Sequence, residues 1–215
     1  MRTIIVSGGS VCEAFALEWL HSHAYDCTIA VDKGMEFFYH QNLVPDYMMG
    51  DYDSAPTEVL EHFSHQGQVK IITLNPIKDD TDTEFAIRQA IAMGASEITV
   101  LGATGTRLDH VLGNIELLGI GLQEEVSIEL LDPHNRIRMI DKECVIAREG
   151  QFGQYVSILP VTGEVKGLTL EGFRYPLKDY TLEKFTSLGI SNEIEEDFGR
   201  ITMQEGIVLV IESRD

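Results

Sequence analysis

The sequence predicts an α/β region built on a parallel sheet with helices on both faces over residues 1–123, followed by an antiparallel β-sandwich over 124–215. Three observations predict it. Short apolar, β-branched runs alternate with stretches of helical periodicity as far as Gln123. Each of those runs ends in glycine, a carboxylate or both. Past Gln123-Glu124-Glu125 the pattern changes to short alternating runs punctuated by turn residues.

In the first region Thr3–Ser7 reads as a strand stopped by Gly8-Gly9-Ser10, and a helix follows through Phe15, Leu17, Trp19 and Leu20. Thr28–Asp32 is a buried strand ending in Asp32-Lys33-Gly34, and helix Met35–Gln41 leads to strand Tyr47–Gly50. Val59, Leu60 and Phe63 mark the next helix, and Val69–Leu74 a strand stopped by Asn75-Pro76. Helix Thr81–Met93 is expected to end at Gly94 as its C′ residue. After strand Ile98–Leu101, a helix carries Leu108, Val111, Leu112, Ile115 and Leu118 as a core stripe. His110 and Asn114 would lie on its opposite, polar face. This alternation predicts a Rossmann-like parallel sheet.

In the second region Ser127–Leu131, Ile137–Ile140, Tyr155–Pro160, Val165–Leu170 and Ile207–Glu212 read as strands. Asp132-Pro133-His134-Asn135 and Gln204-Glu205-Gly206 read as turns. About 90 residues suffice for such a sandwich. Thr186–Glu193, small hydroxyl and amide groups spaced by Gly189, fits either a polar loop or a ligand lining.

Sixteen Lys and Arg against 35 Asp and Glu leave a net charge of −19, which argues against nucleic acid or an anionic membrane as partner. An anionic substrate would then need a metal or a few well-placed cations. Cys12, Cys27 and Cys144 show no C-x-x-C spacing and fit reduced, packed thiols. With no signal-like or membrane-spanning apolar run, the expectation is a cytoplasmic protein.

The chemistry centres on the strand ends. Met49-Gly50-Asp51-Tyr52-Asp53-Ser54 places Asp51 and Asp53 at the carboxyl end of a strand, where open α/β sheets collect ligands. Two hard carboxylates suit Mg²⁺, which completes its shell with water and phosphate. Asp53 and Ser54 would alternatively cap the following helix, with Pro56 in its first turn. Asp79-Asp80-Thr81-Asp82 adds acids at another strand end, and a capping role accounts for one of them but hardly for all. Gly8, Gly9, Gly34 and Gly105 lie in turns that let a backbone approach phosphate closely. Lys33, Lys78 and Arg107 are cations beside these acids. Arg107 would either pair with Asp109 or hold phosphate in a fork.

These motifs together resemble the bacterial thiamine pyrophosphokinases. The resemblance rests on Gly50–Ser54, Asp79–Glu84, Gly102–His110, Gly172–Leu177 and Ser187–Glu193, in that order along the chain. It implies an ATP- and Mg²⁺-binding domain, a thiamine-binding and dimerisation domain, and transfer of pyrophosphate from ATP to the hydroxyethyl group of thiamine. Carried over residue by residue, it implies Asp51, Asp53, Asp79 and Asp82 as Mg²⁺ ligands, with Asp82 or Asp53 accepting the hydroxyl proton. Gly8, Gly9, Asp32, Gly34, Lys78, Thr81, Gly105, Arg107, Asp109 and His110 would hold the nucleotide. Gly189, Ser191 and Asn192 would hold thiamine, reaching the site from the partner subunit of a homodimer. The competing readings are a pyrophosphokinase for a related hydroxyalkyl heterocycle, a Mg²⁺-dependent nucleotide hydrolase, and a non-catalytic thiamine or nucleotide sensor. For a sensor, so many clustered acids have no chemical purpose.

Overall fold

The computed structural model describes the chain except residues 53–55 and 75–79. It divides into two compact units, Met1–Pro133 and His134–Asp215. In the first, β1 (Arg2–Val6), β2 (Cys27–Val31), β3 (Tyr47–Gly50), β4 (Lys70–Thr73), β5 (Glu97–Leu101) and β6 (Ser127–Leu131) pair in parallel, in the order β4-β3-β2-β1-β5-β6. The inner strands β1 and β2 read IIV and CTIAV because both of their faces are covered. β4 is mostly exposed, as the edge of the parallel array.

Helices α1 (Glu13–Ser22), α2 (Gly34–His40), α3 (Thr57–Ser64), α4 (Asp82–Ala92) and α5 (Leu108–Glu124) make the crossovers. The right-handed rule puts α1–α3 on one face and α4 and α5 on the other, because the chain reverses its direction across the sheet after β4. α4 buries Thr83, Ala86, Ile87 and Ala90, the i, i+3, i+4, i+7 stripe of a half-covered helix. Gly94 follows α4 with φ +92, the left-handed C′ position expected for it.

Two sequence expectations change here. Ser127–Leu131 pairs in parallel with β5 and belongs to the first unit, which therefore extends to Pro133 and not to Gln123. Its alternating pattern reflects a strand at the border of the parallel array, half-covered like a sandwich strand. The core stripe of α5 is also shorter than its periodicity suggested. Leu108 and Leu112 are 72% and 63% exposed, and full burial begins at Leu118. The first turns of α5 line the crevice instead of the core, a difference that spacing alone does not reveal.

In the second unit β13 (Val208–Ser213) pairs antiparallel with β7 (Asn135–Ile140) and β9 (Tyr155–Pro160). A second sheet runs in the order β11 (Leu177–Glu183), β10 (Glu164–Glu171), β12 (Phe198–Thr202), β8 (Cys144–Ala147). Val156, Ile158, Val208 and Val210 of the first layer meet Val165, Leu168, Leu182 and Ile201 of the second in one core, which makes this a β-sandwich. β8, β11 and β12 were not among the expected strands; β11 is mostly exposed and lacks an apolar alternation to read. Cys27 and Cys144 are buried, and burial pushes the Cys27 thiol up to about 11, whereas Cys12 is exposed. Among the described residues no helix is long and apolar enough to cross a membrane.

Candidate active site

The strand order runs outward in opposite directions from β1 and β5, and the crevice opens at this switch point. Ser7 N donates to Leu101 O (2.8 Å), Gly9 N to Gly102 O (2.9 Å) and Ser10 N to Thr104 O (2.8 Å), which zips the two strand-end turns together. The approach is close enough that a Cβ on Gly9 would overlap the Gly102 and Thr104 carbonyls. Gly102 itself sits at φ +67, a conformation glycine adopts without steric penalty. The crevice, about 1100 Å³, is lined by Gly8, Gly9, Asp32, Lys33, Asp82, Gly105, Arg107 and His110 among others.

Its acidic side is assembled from β2, β3 and α4. Asp32 follows β2 at φ +48, a left-handed turn that aspartate tolerates, and its N–H donates to Met49 O (3.1 Å). Gly50 packs directly against the Asp32 carboxylate, where a Cβ would not fit. β3 ends at Gly50, so Asp51 lies just beyond the carboxyl end of the strand. Tyr52 turns left-handed (φ +60), and its hydroxyl donates to Ile72 O (3.2 Å), tying the turn to β4. Burial, with the Asp32 charge adding to it, pushes the Tyr52 phenol far above its ordinary range, so it stays a donor.

Asp82 opens α4, where Thr81 Oγ1 accepts from Glu84 N (3.2 Å) as the N-cap. Carboxylate oxygens of Asp32, Asp51 and Asp82 all lie within 4.8 Å of one another, each residue half-buried. Asp51 and Asp82 were expected in such a cluster, whereas Asp32 was expected among the nucleotide contacts. Asp32 lies just past β2 as Asp51 lies just past β3, a strand-end position legible in the sequence that was not assigned to the metal. Asp53, Lys78 and Asp79 lie outside the described residues.

The basic side is open. Arg107 binds Asp109 through both Nε (3.2 Å) and Nη2 (2.5 Å), with the two side chains 68% and 65% exposed. The Arg107 guanidinium, helped by the His110 N–H, holds the Asp109 carboxyl down at about 2. Asn114 reaches back from α5 to donate to Ala103 O (2.7 Å). His110 and Asn114 both line the crevice, so the polar face of α5 is its functional face.

In the second unit the segment before Glu193 runs along β9. Ile158 N donates to Gly189 O (2.8 Å), Ser191 N to Ser157 Oγ (3.0 Å), and Val156 and Asn192 exchange backbone bonds of 2.8 and 3.0 Å. Ser191 is exposed in a left-handed turn (φ +54). Asn192 is 3% exposed. Its Oδ1 accepts from Tyr175 N and Glu193 N (3.0 Å each), and its Nδ2 donates to Tyr175 O (2.8 Å). These bonds occupy the Asn192 carbonyl oxygen and one of its two N–H donors, leaving the second N–H for another acceptor.

The sequence profile of the thiamin pyrophosphokinase catalytic domain matches residues 19–130, and that of the family's vitamin B1 binding domain matches residues 143–208. The thiamine pyrophosphokinase of Bacillus subtilis is 32% identical over 187 residues, 87% of each chain. The crystal structure of thiamine pyrophosphokinase from Bacillus subtilis superposes with a TM-score of 0.90 at 29% identity over 100% of both chains. That from Geobacillus thermodenitrificans gives 0.86 at 31% identity, over 100% of this chain and 98% of the other. With a switch-point crevice, an acidic cluster and both domain profiles matched in order, the chain belongs to the thiamin pyrophosphokinase family.

Proposed function

We propose that this chain transfers the β,γ-pyrophosphoryl group of ATP to thiamine, giving thiamine diphosphate and AMP. The observation that carries the reading is the convergence of Asp32, Asp51 and Asp82 on one point beside a glycine-lined crevice. Their spacing and all-oxygen chemistry fit Mg²⁺. When bound, that ion supplies charge neutralisation for the β and γ phosphates. The remaining work falls to the chain. Gly8, Gly9 and Gly105 offer backbone to the phosphates, and Lys33, Arg107 and His110 face them. Asp82 or Asp53 takes the proton from the thiamine hydroxyl as its oxygen attacks the β phosphorus. The bond to the α–β bridging oxygen breaks, and AMP leaves. Thiamine is a cation, and a chain of net charge −19 favours its retention.

We further infer a cytoplasmic homodimer in which Gly189, Ser191 and Asn192 of one subunit serve the partner's thiamine site, with the Asn192 backbone also holding the segment to β9. Incubation with ATP, Mg²⁺ and thiamine should yield thiamine diphosphate and AMP in equal amounts. ADP as co-product, or ATP turnover indifferent to thiamine, would remove the reading. A chain that sediments as a monomer with both substrates present would remove the dimer.

A further inference from the structure

Ser7, at the end of β1, and Thr83, in the first turn of α4, are 4% and 7% exposed, and their hydroxyl oxygens are 2.6 Å apart. Thr83 occupies the first position of the buried stripe that continues through Ala86, Ile87 and Ala90. An apolar side chain of the same shape would suit that stripe, and a hydroxyl belongs there only with a partner. The pair also joins α4's first turn to the end of β1 through side chains. The Thr81 cap bonds only within the helix. Ser7 has a second connection, because Gly34, two residues after Asp32, packs so closely that a Cβ there would overlap Val6 O and come within 3.2 Å of Ser7 O. The turn carrying Asp32 and the helix carrying Asp82 are therefore both referenced to the same end of β1.

Like charges this close repel, so the separation of the helix from the turn has to be held by the fold. We propose that Ser7 and Thr83 are positioning residues, whose buried hydrogen bond sets the separation of Asp82 from Asp32 on which divalent-cation binding depends. The inference rests on the Mg²⁺ reading above.

Mn²⁺ is the probe, with affinity measured by electron paramagnetic resonance in the absence of nucleotide. Thr83→Val should weaken Mn²⁺ binding about tenfold, the low end of what an outer contact contributes to a metal site. Thr83→Ser, which keeps the hydroxyl, should restore affinity to near wild type. Ser7→Ala should match Thr83→Val, and the double variant should be no weaker than either, because one bond is lost in all three. Ser7→Ala also leaves the helix sequence untouched, so it decides the matter if Thr83→Val does not fold. A purely structural bond would lower the melting temperature and leave Mn²⁺ affinity unchanged, and that result overturns the proposal. If Asp51→Asn and Asp82→Asn abolish Mn²⁺ binding while Thr83→Val and Ser7→Ala do not weaken it, the positioning role alone fails. If the aspartate variants bind Mn²⁺ like wild type, the metal reading and the positioning role fall together.

Discussion

Two helices begin at the crevice, and they begin differently. α4 starts with a side-chain cap from Thr81 and a buried hydroxyl at Thr83, and its apolar stripe is covered from the first turn. α5 starts at Arg107 with no side-chain cap bond, and Leu108 and Leu112 are exposed. Its fixed point at this end is the Asn114 bond to Ala103 O. Thus the carboxylate side of the crevice is held by burial, whereas the basic side is ordered by a solvated ion pair. A surface ion pair contributes little to folding. It can exchange one charged partner for another, however, so Arg107 can move from Asp109 to a phosphate without disturbing the core.

The largest expected effect tests the buried side. Asp82→Asn should lower kcat by about a hundredfold or more, since a lost metal contact removes several kcal/mol of transition-state stabilisation. The melting temperature should hold or rise, because removing one carboxylate from a cluster within 4.8 Å relieves repulsion. Steady-state AMP release and a melting curve on the same preparation check both. Near-normal turnover at limiting Mg²⁺ would exclude Asp82 as a ligand.

The exposed side should respond through binding. Arg107→Ala is expected to raise the KM for ATP by about tenfold, the loss of one charge-assisted bond to phosphate, with a melting temperature close to wild type. The pH dependence follows from the Asp109 carboxyl, held down at about 2. Its folded value is depressed, so its charge and the pairing with Arg107 are complete above the ordinary carboxylate range and lost only as pH falls through about 2. The ratio of wild-type to Arg107→Ala activity should therefore be flat between about pH 6 and 9. A ratio that bends in that window would mean that a group other than Asp109 controls the phosphate contact.

The same contrast explains what could be read from sequence. Buried strands such as Thr28–Val31, the acid Asp51 past the end of β3 and the acid Asp82 at the start of α4 were legible, because burial writes continuous apolar runs and turns and helix starts collect glycine and aspartate. Legibility failed where a side chain's role depends on what lies across from it. Leu108 and Leu112 have the spacing of a core stripe, but nothing in the spacing says that no other part of the chain covers them. Asn192 has the chemistry of a ligand contact, but nothing in its spacing says that its amide also holds the Tyr175 backbone, 17 residues away. Ser7 and Thr83 are 76 residues apart and individually ordinary. Only the folded chain makes them a pair.

The smallest expected effect asks whether the start of α5 is as exposed in solution as it is in the single chain. At 63% exposure Leu112 buries little, so Leu112→Ser should change unfolding free energy by less than about 0.5 kcal/mol in a dilute urea titration. The measurement sharpens when repeated at a hundredfold higher protein concentration. Folding linked to association gains stability with concentration, and an interface side chain contributes only in the associated state. If the penalty for Leu112→Ser stays small at both concentrations, solvent covers this turn, and the two helix starts differ by construction. If the penalty is small when dilute and grows to 1–2 kcal/mol when concentrated, the turn packs against a second copy. The asymmetry between α4 and α5 would then belong to the isolated chain, with the basic side of the crevice completed on assembly.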